Sequence, residues 1–163
     1  MTTHESQVLG VDIGGVIIDR VSEDDQSYIE AAAVDGAFEA IARLVQQRFR
    51  EHVWLVSRCE KSREPVLLEW LAQHDFFGST GVSRQHVRFC RQRHDKATIC
   101  QQLGMTHFID DRLEVLSHLV GTVPHLYLLP SRAEGMDRFH QFLPHVHLVR
   151  RWSEIVDAML RPQ

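Results

Sequence analysis

Val8-Leu-Gly-Val-Asp-Ile-Gly-Gly-Val-Ile-Ile-Asp19 is the stretch on which the fold of this 163-residue chain turns. An apolar run broken first by a carboxylate and then by two glycines predicts a buried parallel strand that carries Asp12 to its C-terminal end and then turns sharply. In open α/β sheets, ligands bind at that end of the strands. A carboxylate held there is costly to bury unless a cation or hydrogen bonds accompany it. Asp12 therefore marks a candidate site, against the plainer reading of an Asp that caps the following turn.

Outward from this strand, helical and strand periods alternate. Arg20 to Gly36 reads as an acidic, solvated flap or short helical turn carrying Glu23, Asp24, Asp25 and Glu30. Ala37 to Phe49 has helical spacing and an Arg-rich last turn that suits the helix dipole. His52 to Ser57 reads as a second strand, with Ser57 on the same sheet edge as Asp12 if the crossover is right-handed. Glu60 to His74 reads as a helix with Pro65 in its early turns, and Phe76 to Gly81 as a break. Val87 to Cys90 reads as a third strand. His94-Asp95-Lys96 opens a helix, with Asp95 as its cap and Gly104 as its stop. Thr106 to Asp111 reads as a fourth strand ending in paired acids, followed by a helix from Leu113 to Val120 and a fifth strand from His125 to Leu129. A helix around Arg132 to Phe142, a short strand from Val146 to Val149 and a helix from Ser153 to Leu160 close the chain. This alternation predicts a parallel sheet with helices on both faces and a single domain over residues 1–163.

Asp12, Ser57, Lys96 and Asp110-Asp111 would then gather a nucleophilic carboxylate, a hydroxyl, an ammonium and a pair of acids. Such a set suits phosphoryl transfer through an aspartyl-phosphate. Carboxylates crowded together repel unless a hard divalent ion sits among them, and Mg²⁺ meets that need. Lys96 and the ion would offset charge on phosphoryl oxygens, while Ser57 and the backbone N–H groups after Asp12 would donate to them. Gly14 and Gly15 would let the backbone approach closely. Lys61 and Lys96 are the two lysines of a chain otherwise rich in arginine, so a compact ammonium is a deliberate choice. Lys61 precedes the wrong helix for this role.

These motifs resemble those of the haloacid dehalogenase-like (HAD) superfamily, in order, from residue 8 to about 120. The resemblance implies a three-layer Rossmann-like sheet and an Mg²⁺-dependent hydrolase of phosphorylated substrates. It implies Asp12 as nucleophile and metal ligand, Ser57 and Lys96 as catalytic partners, and the Gly14 carbonyl and Asp111 as further ligands, with Asp110 beside them. Which of the paired acids touches the ion is left open. One departure stands out: the family's phosphatases carry a second Asp, an acid/base, where this chain has Gly14. Loss of such a group costs about 10²–10⁴ in rate, so the implied activity is slow or restricted to good leaving groups. Asp19 and the flap acids Glu23, Asp24 and Asp25 are candidate substitutes. The spacing of the motifs leaves no room for a helical cap domain, which implies a bulky substrate or a lid supplied by a second subunit of a homo-oligomer.

Composition narrows the alternatives. Twenty-two acidic against 18 basic residues give a net charge of -4, which disfavours a general nucleic-acid or membrane-surface binder. Cys59, Cys90 and Cys100 are odd in number and lack metal-ligand spacing, so reduced thiols and a cytoplasmic location are expected. No run reaches the ~18 apolar residues of a membrane span. Gly10 to Gly15 also resembles the phosphate motif of sugar kinases, but the chain is too short for two large lobes. A scaffold of the same fold, with catalysis lost at Gly14, is the main rival. His145 and His147 would share one face of a strand, and like His118 and His125 they read as surface or half-buried imidazoles. Arg58 and Arg112 follow motif residues directly and are candidate substrate contacts. Arg84, Arg88, Arg91 and Arg93 read as a solvated basic face, against the alternative of a cluster near the site that holds a phosphate or carboxylate of the substrate, and Phe76-Phe77 reads as core.

Overall fold

Six parallel strands form one sheet in the order β3-β2-β1-β4-β5-β6, with β1 Leu9–Val11, β2 Val53–Arg58, β3 Val87–Cys90, β4 His107–Asp110, β5 His125–Leu128 and β6 His147–Leu148. The computed structural model describes residues 6–19, 30–131 and 137–161. The strand order reverses direction between β1 and β4, which register as Leu9 with His107 and Val11 with Ile109. Two strand ends diverge there, opening the crevice in which such sheets bind ligands.

Helices cover both faces. On one lie α1 (Ala37–Leu44, continued by a π turn over Val45–Phe49), α2 (Glu64–Gln73), α3 (Phe76–Thr80) and α6 (Trp152–Leu160), packed on Leu9, Val11, Ile109 and Leu55. On the other lie α4 (Asp95–Leu103), α5 (Leu113–Ser117) and a 3-10 segment, Asp137–His145, packed on Phe108, Val56 and Leu126. Among the described residues no cap domain is inserted. Gly10 faces the second layer, where an added Cβ would lie 2.5 Å from the Phe108 ring, so a side chain there would part β1 from β4.

After β1 the chain makes one tight turn, with Gly15 at φ 82° and the amides of Ile17 and Ile18 both donating to the Ile13 carbonyl. Ile18 then forms an isolated antiparallel bridge with Ala33. Two buried indoles pin this region: Trp152 Nε1 donates to the Val16 carbonyl and Trp70 Nε1 to the Ala31 carbonyl. Residues 20–29, with Glu23, Asp24 and Asp25, lie outside the described residues.

Several expectations need correction. Phe76 to Gly81 is a short helix rather than a break, because Phe76 and Phe77 are buried and draw the segment onto α1. Asp95 does not cap α4: it is the first helical residue, and its Oδ2 accepts from the Gln92 amide behind it. The expected helix around Arg132 begins, within the described residues, at Asp137 and winds as 3-10 with Pro144 inside it. His145 ends that segment, so it does not share a strand face with His147.

A ladder of rings crosses the sheet near its N-terminal edge. Phe49 packs edge-on to His107, His107 stacks on His125 at 4.6 Å, and Tyr127 stacks on His147 at 4.8 Å. His107 is buried, and burial, with Arg48 and then His125 and His147 nearby, pushes its imidazole down to about 3 from an ordinary 6.5. Between those limits the unfolded chain binds a proton that the folded chain refuses, so stability rises with pH. This contribution should be complete above about pH 6.5 and lost as pH falls toward 3. Urea midpoints measured from pH 7 to 4 should fall less steeply for His107→Phe than for the parent.

Candidate active site

Each strand of the central trio ends in a polar group, and the parallel register aligns those ends. Asp12 follows β1, its amide donating to the Ile109 carbonyl at 3.0 Å. Asp110 ends β4 and Asp111 follows it, while Ser57 lies one residue before the end of β2. All four are buried. Lys96, in the first turn of α4, is 2 % exposed. It reaches across the sheet edge to donate to Asp12 Oδ1 at 3.0 Å and to Asp110 Oδ2 at 2.9 Å, its Nζ 5.5 Å from the centre of the Phe108 ring.

The two acids of the pair differ in what they hold. Asp110 commits one oxygen to Lys96 and the other to the Arg112 amide at 3.0 Å, the arrangement of an anchoring carboxylate. Asp111 Oδ2 instead accepts from Ser131 Oγ at 2.7 Å. Asp12, Asp110 and Asp111 each present an oxygen within 4.8 Å of the others.

Three buried carboxylates against one ammonium leave the cluster with excess negative charge. Burial raises the Asp12 carboxyl well above its ordinary range, Asp110 and Asp111 raise it further, and only Lys96 opposes them. Asp110 is raised by burial and by Asp111, against Lys96. For Lys96 burial works against the charge, but Asp110 and Asp12 outweigh it and hold the ammonium above its ordinary value. An all-oxygen donor set with surplus negative charge is what a hard divalent cation requires, so the residues present fit Mg²⁺.

A cavity of about 320 Å³ opens over this floor, lined by Asp12, Gly14, Ser57, Lys96 and Asp110 and ringed by Arg58, Arg63, Arg93 and Arg112. Gly14 lines it, whereas Gly15 serves the turn behind. Asp19 is exposed and Asp111 lies outside the cavity wall. Of the basic stretch before α4, Arg93 belongs to the rim. Arg84 and Arg88 lie over Phe77 and Trp54, and Arg91 pairs with Glu64. Lys61 is exposed and takes no part.

Three residues of this region escaped the sequence reading, Ser131, Glu60 and Arg63, whereas Arg93 takes the place near the site that was the alternative reading of its basic stretch. Ser131 is a hydroxyl just past β5, a signal of the same kind as Ser57 but masked by Pro130. Glu60 and Arg63 carry no local pattern, and reach the rim because the segment after β2 runs along it.

Replacing Lys96 with Met should leave the buried carboxylates without their cation and cost about 3–5 kcal/mol of stability at pH 7. The deficit, read from denaturant midpoints, should shrink as pH falls and the carboxylates become protonated.

Neither a protein-family model nor a curated protein matches the sequence, but solved structures do. D,D-heptose 1,7-bisphosphate phosphatase from B. bronchiseptica, crystallised with magnesium and phosphate, superimposes with a TM-score of 0.65 at 15% identity, over 95% of this chain and 98% of that one. A HAD family hydrolase from Deinococcus radiodurans R1, with bound phosphate and sodium, gives 0.64 at 11% identity over 94% of each chain. A haloacid dehalogenase-like hydrolase from Burkholderia xenovorans LB400 gives 0.53 at 16% identity, over 85% of this chain and 64% of that one. The parallel sheet with Asp12 and Asp110 at its reversal point thus has the haloacid dehalogenase-like fold.

Proposed function

We propose that this chain is an Mg²⁺-dependent phosphohydrolase that works through an aspartyl-phosphate on Asp12. The observation that carries the reading is the meeting of Asp12, Asp110 and Asp111 oxygens within 4.8 Å of one another, with Lys96 bridging the first two, beneath a cavity at the sheet's reversal point. Structures of the same fold hold phosphate with magnesium or sodium.

In this reading Asp12, the Gly14 carbonyl and Asp111 hold the ion, and Asp110 anchors Lys96. When bound, Mg²⁺ supplies positive charge beside the phosphoryl oxygens. Ser57 donates to one of those oxygens, and Lys96 both orients Asp12 and offsets charge as it builds. An Asp12 oxygen attacks phosphorus, the ester P–O bond breaks, and the leaving oxygen departs with the bonding pair. Water then attacks phosphorus, the Asp12 acyl-phosphate bond breaks, and inorganic phosphate and a proton leave.

Gly14 offers no acid to the leaving oxygen. Among the described residues, Glu60 is the cavity-lining carboxylate outside the buried cluster, and it is exposed. Esters whose leaving group departs as a stable anion should therefore be turned over best. The three thiols are free, which fits a reducing compartment, and no described helix is long and apolar enough to cross a membrane.

Asp12→Asn should abolish Mg²⁺-dependent hydrolysis of p-nitrophenyl phosphate; equal activity in variant and parent would defeat the assignment of Asp12, and no turnover by the parent would favour a scaffold. Gly14→Asp should raise turnover of alkyl phosphates by about 10²–10⁴ while changing aryl phosphates much less, as read by phosphate release. Mg²⁺ at about 100 times its Kd should stabilise the parent by about 2.7 kcal/mol, measured by thermal unfolding with and without a chelator.

A further inference from the structure

The paired acids after β4 are held by different chemistry. Asp110 accepts from the Lys96 ammonium at 2.9 Å and from the Arg112 amide at 3.0 Å. Asp111, 5 % exposed, accepts at Oδ2 from the neutral hydroxyl of Ser131 at 2.7 Å. That hydroxyl arrives from just beyond β5, an element to which none of Asp12, Ser57, Lys96 and Asp110 belongs. The sheet fixes where it arrives. The Leu129 amide donates to the Asp110 carbonyl and the Val149 amide to the Leu128 carbonyl, both at 2.9 Å, and the ring of Pro130 restricts the one residue between Leu129 and Ser131.

We infer that Ser131 is a positioning residue for the Mg²⁺ site proposed above, on which this inference rests: its hydroxyl sets the plane of the Asp111 carboxylate so that an oxygen is presented to an ion shared with Asp12. The terminal torsion of an aspartate is broad, and a short bond from a hydroxyl to one carboxylate oxygen fixes where both oxygens stand. A hydroxyl does this without cancelling charge, whereas Lys96 offsets the charge of Asp110 and Asp12. Asp111 thus keeps the negative charge that a hard cation takes up. Aim matters for Mg²⁺ in particular, because it demands near-ideal octahedral geometry where Ca²⁺ accepts a flexible one. Losing a hydrogen-bond partner of a metal ligand typically costs about 10–100-fold in affinity. Ser131 is exposed and is not the only group acting on Asp111, which sets the expected loss at the lower end of that range.

The test reads ion binding, so it stands whether or not the protein turns over. The full chain, stripped of metal, is titrated calorimetrically with MgCl₂ and separately with CaCl₂, as parent, Ser131→Ala and Ser131→Thr. The alanine variant should bind Mg²⁺ about tenfold more weakly and lose less affinity for Ca²⁺, while threonine, which keeps the hydroxyl, should retain the parent's Mg²⁺ affinity. Thermal transitions in chelator should coincide for the three proteins. Unchanged Mg²⁺ affinity in Ser131→Ala, an equal loss for both ions, or a threonine variant as weak as the alanine one would each overturn the inference. A parent that takes up no Mg²⁺ would overturn it together with the ion site. The expected Ser131 effect in a chain that hydrolyses no phosphate ester would uphold the inference and sink the phosphohydrolase reading alone.

Discussion

The ammonium of Lys96, sealed between two carboxylates, is the constraint around which the rest of this molecule is arranged. Its bonds to Asp12 and Asp110 tie the ends of β1 and β4 to the first turn of α4. β1 is distant in sequence from α4 and β4, and at this edge the Asp12 amide also donates to the Ile109 carbonyl. A buried charge that lost its partner would be strongly unfavourable, so the triad specifies where α4 lies as well as what the floor of the cavity is.

Support for the triad comes from layers that carry no charge. Gly10 lets Phe108 close over β1, and the same Phe108 ring lies beside the Lys96 ammonium. Trp152 and Trp70 hold the chain after β1 through their indole N–H groups, each on a backbone carbonyl. Large apolar side chains thus keep the turn that presents Gly14 in one place.

The site beneath the cavity holds three buried carboxylates against the one Lys96 ammonium. Burial raises Asp12 and Asp110 toward neutrality, and a hard cation would restore both to their anionic form. The rim cannot perform that service, because the Arg58 guanidinium is exposed and the Arg112 side chain half-buried, whereas the carboxylates are sealed.

The succession of strands and helices along the chain, the places of Asp12, Ser57, Lys96, Asp110 and Asp111 at element ends and the gap at Gly14 were legible in the sequence, because each follows or opens an element whose apolar period is local; the order of the strands across the sheet was not. Phe76–Thr80 was misread because tertiary burial, not propensity, makes it helical, and Asp95 because its carboxylate satisfies an amide behind the helix rather than within it. Ser131, Glu60 and Arg63 were not legible as site residues, since nothing in their neighbours along the chain distinguishes them from surface polar groups. The difference has a physical reason. Strand and helix periods are written in side chains a few positions apart, so the sequence alone determines which residues stand at the sheet edge. What surrounds them depends on loops that meet through space, and the division of labour between Asp110 and Asp111, like the ring of guanidiniums, exists only once the chain has folded.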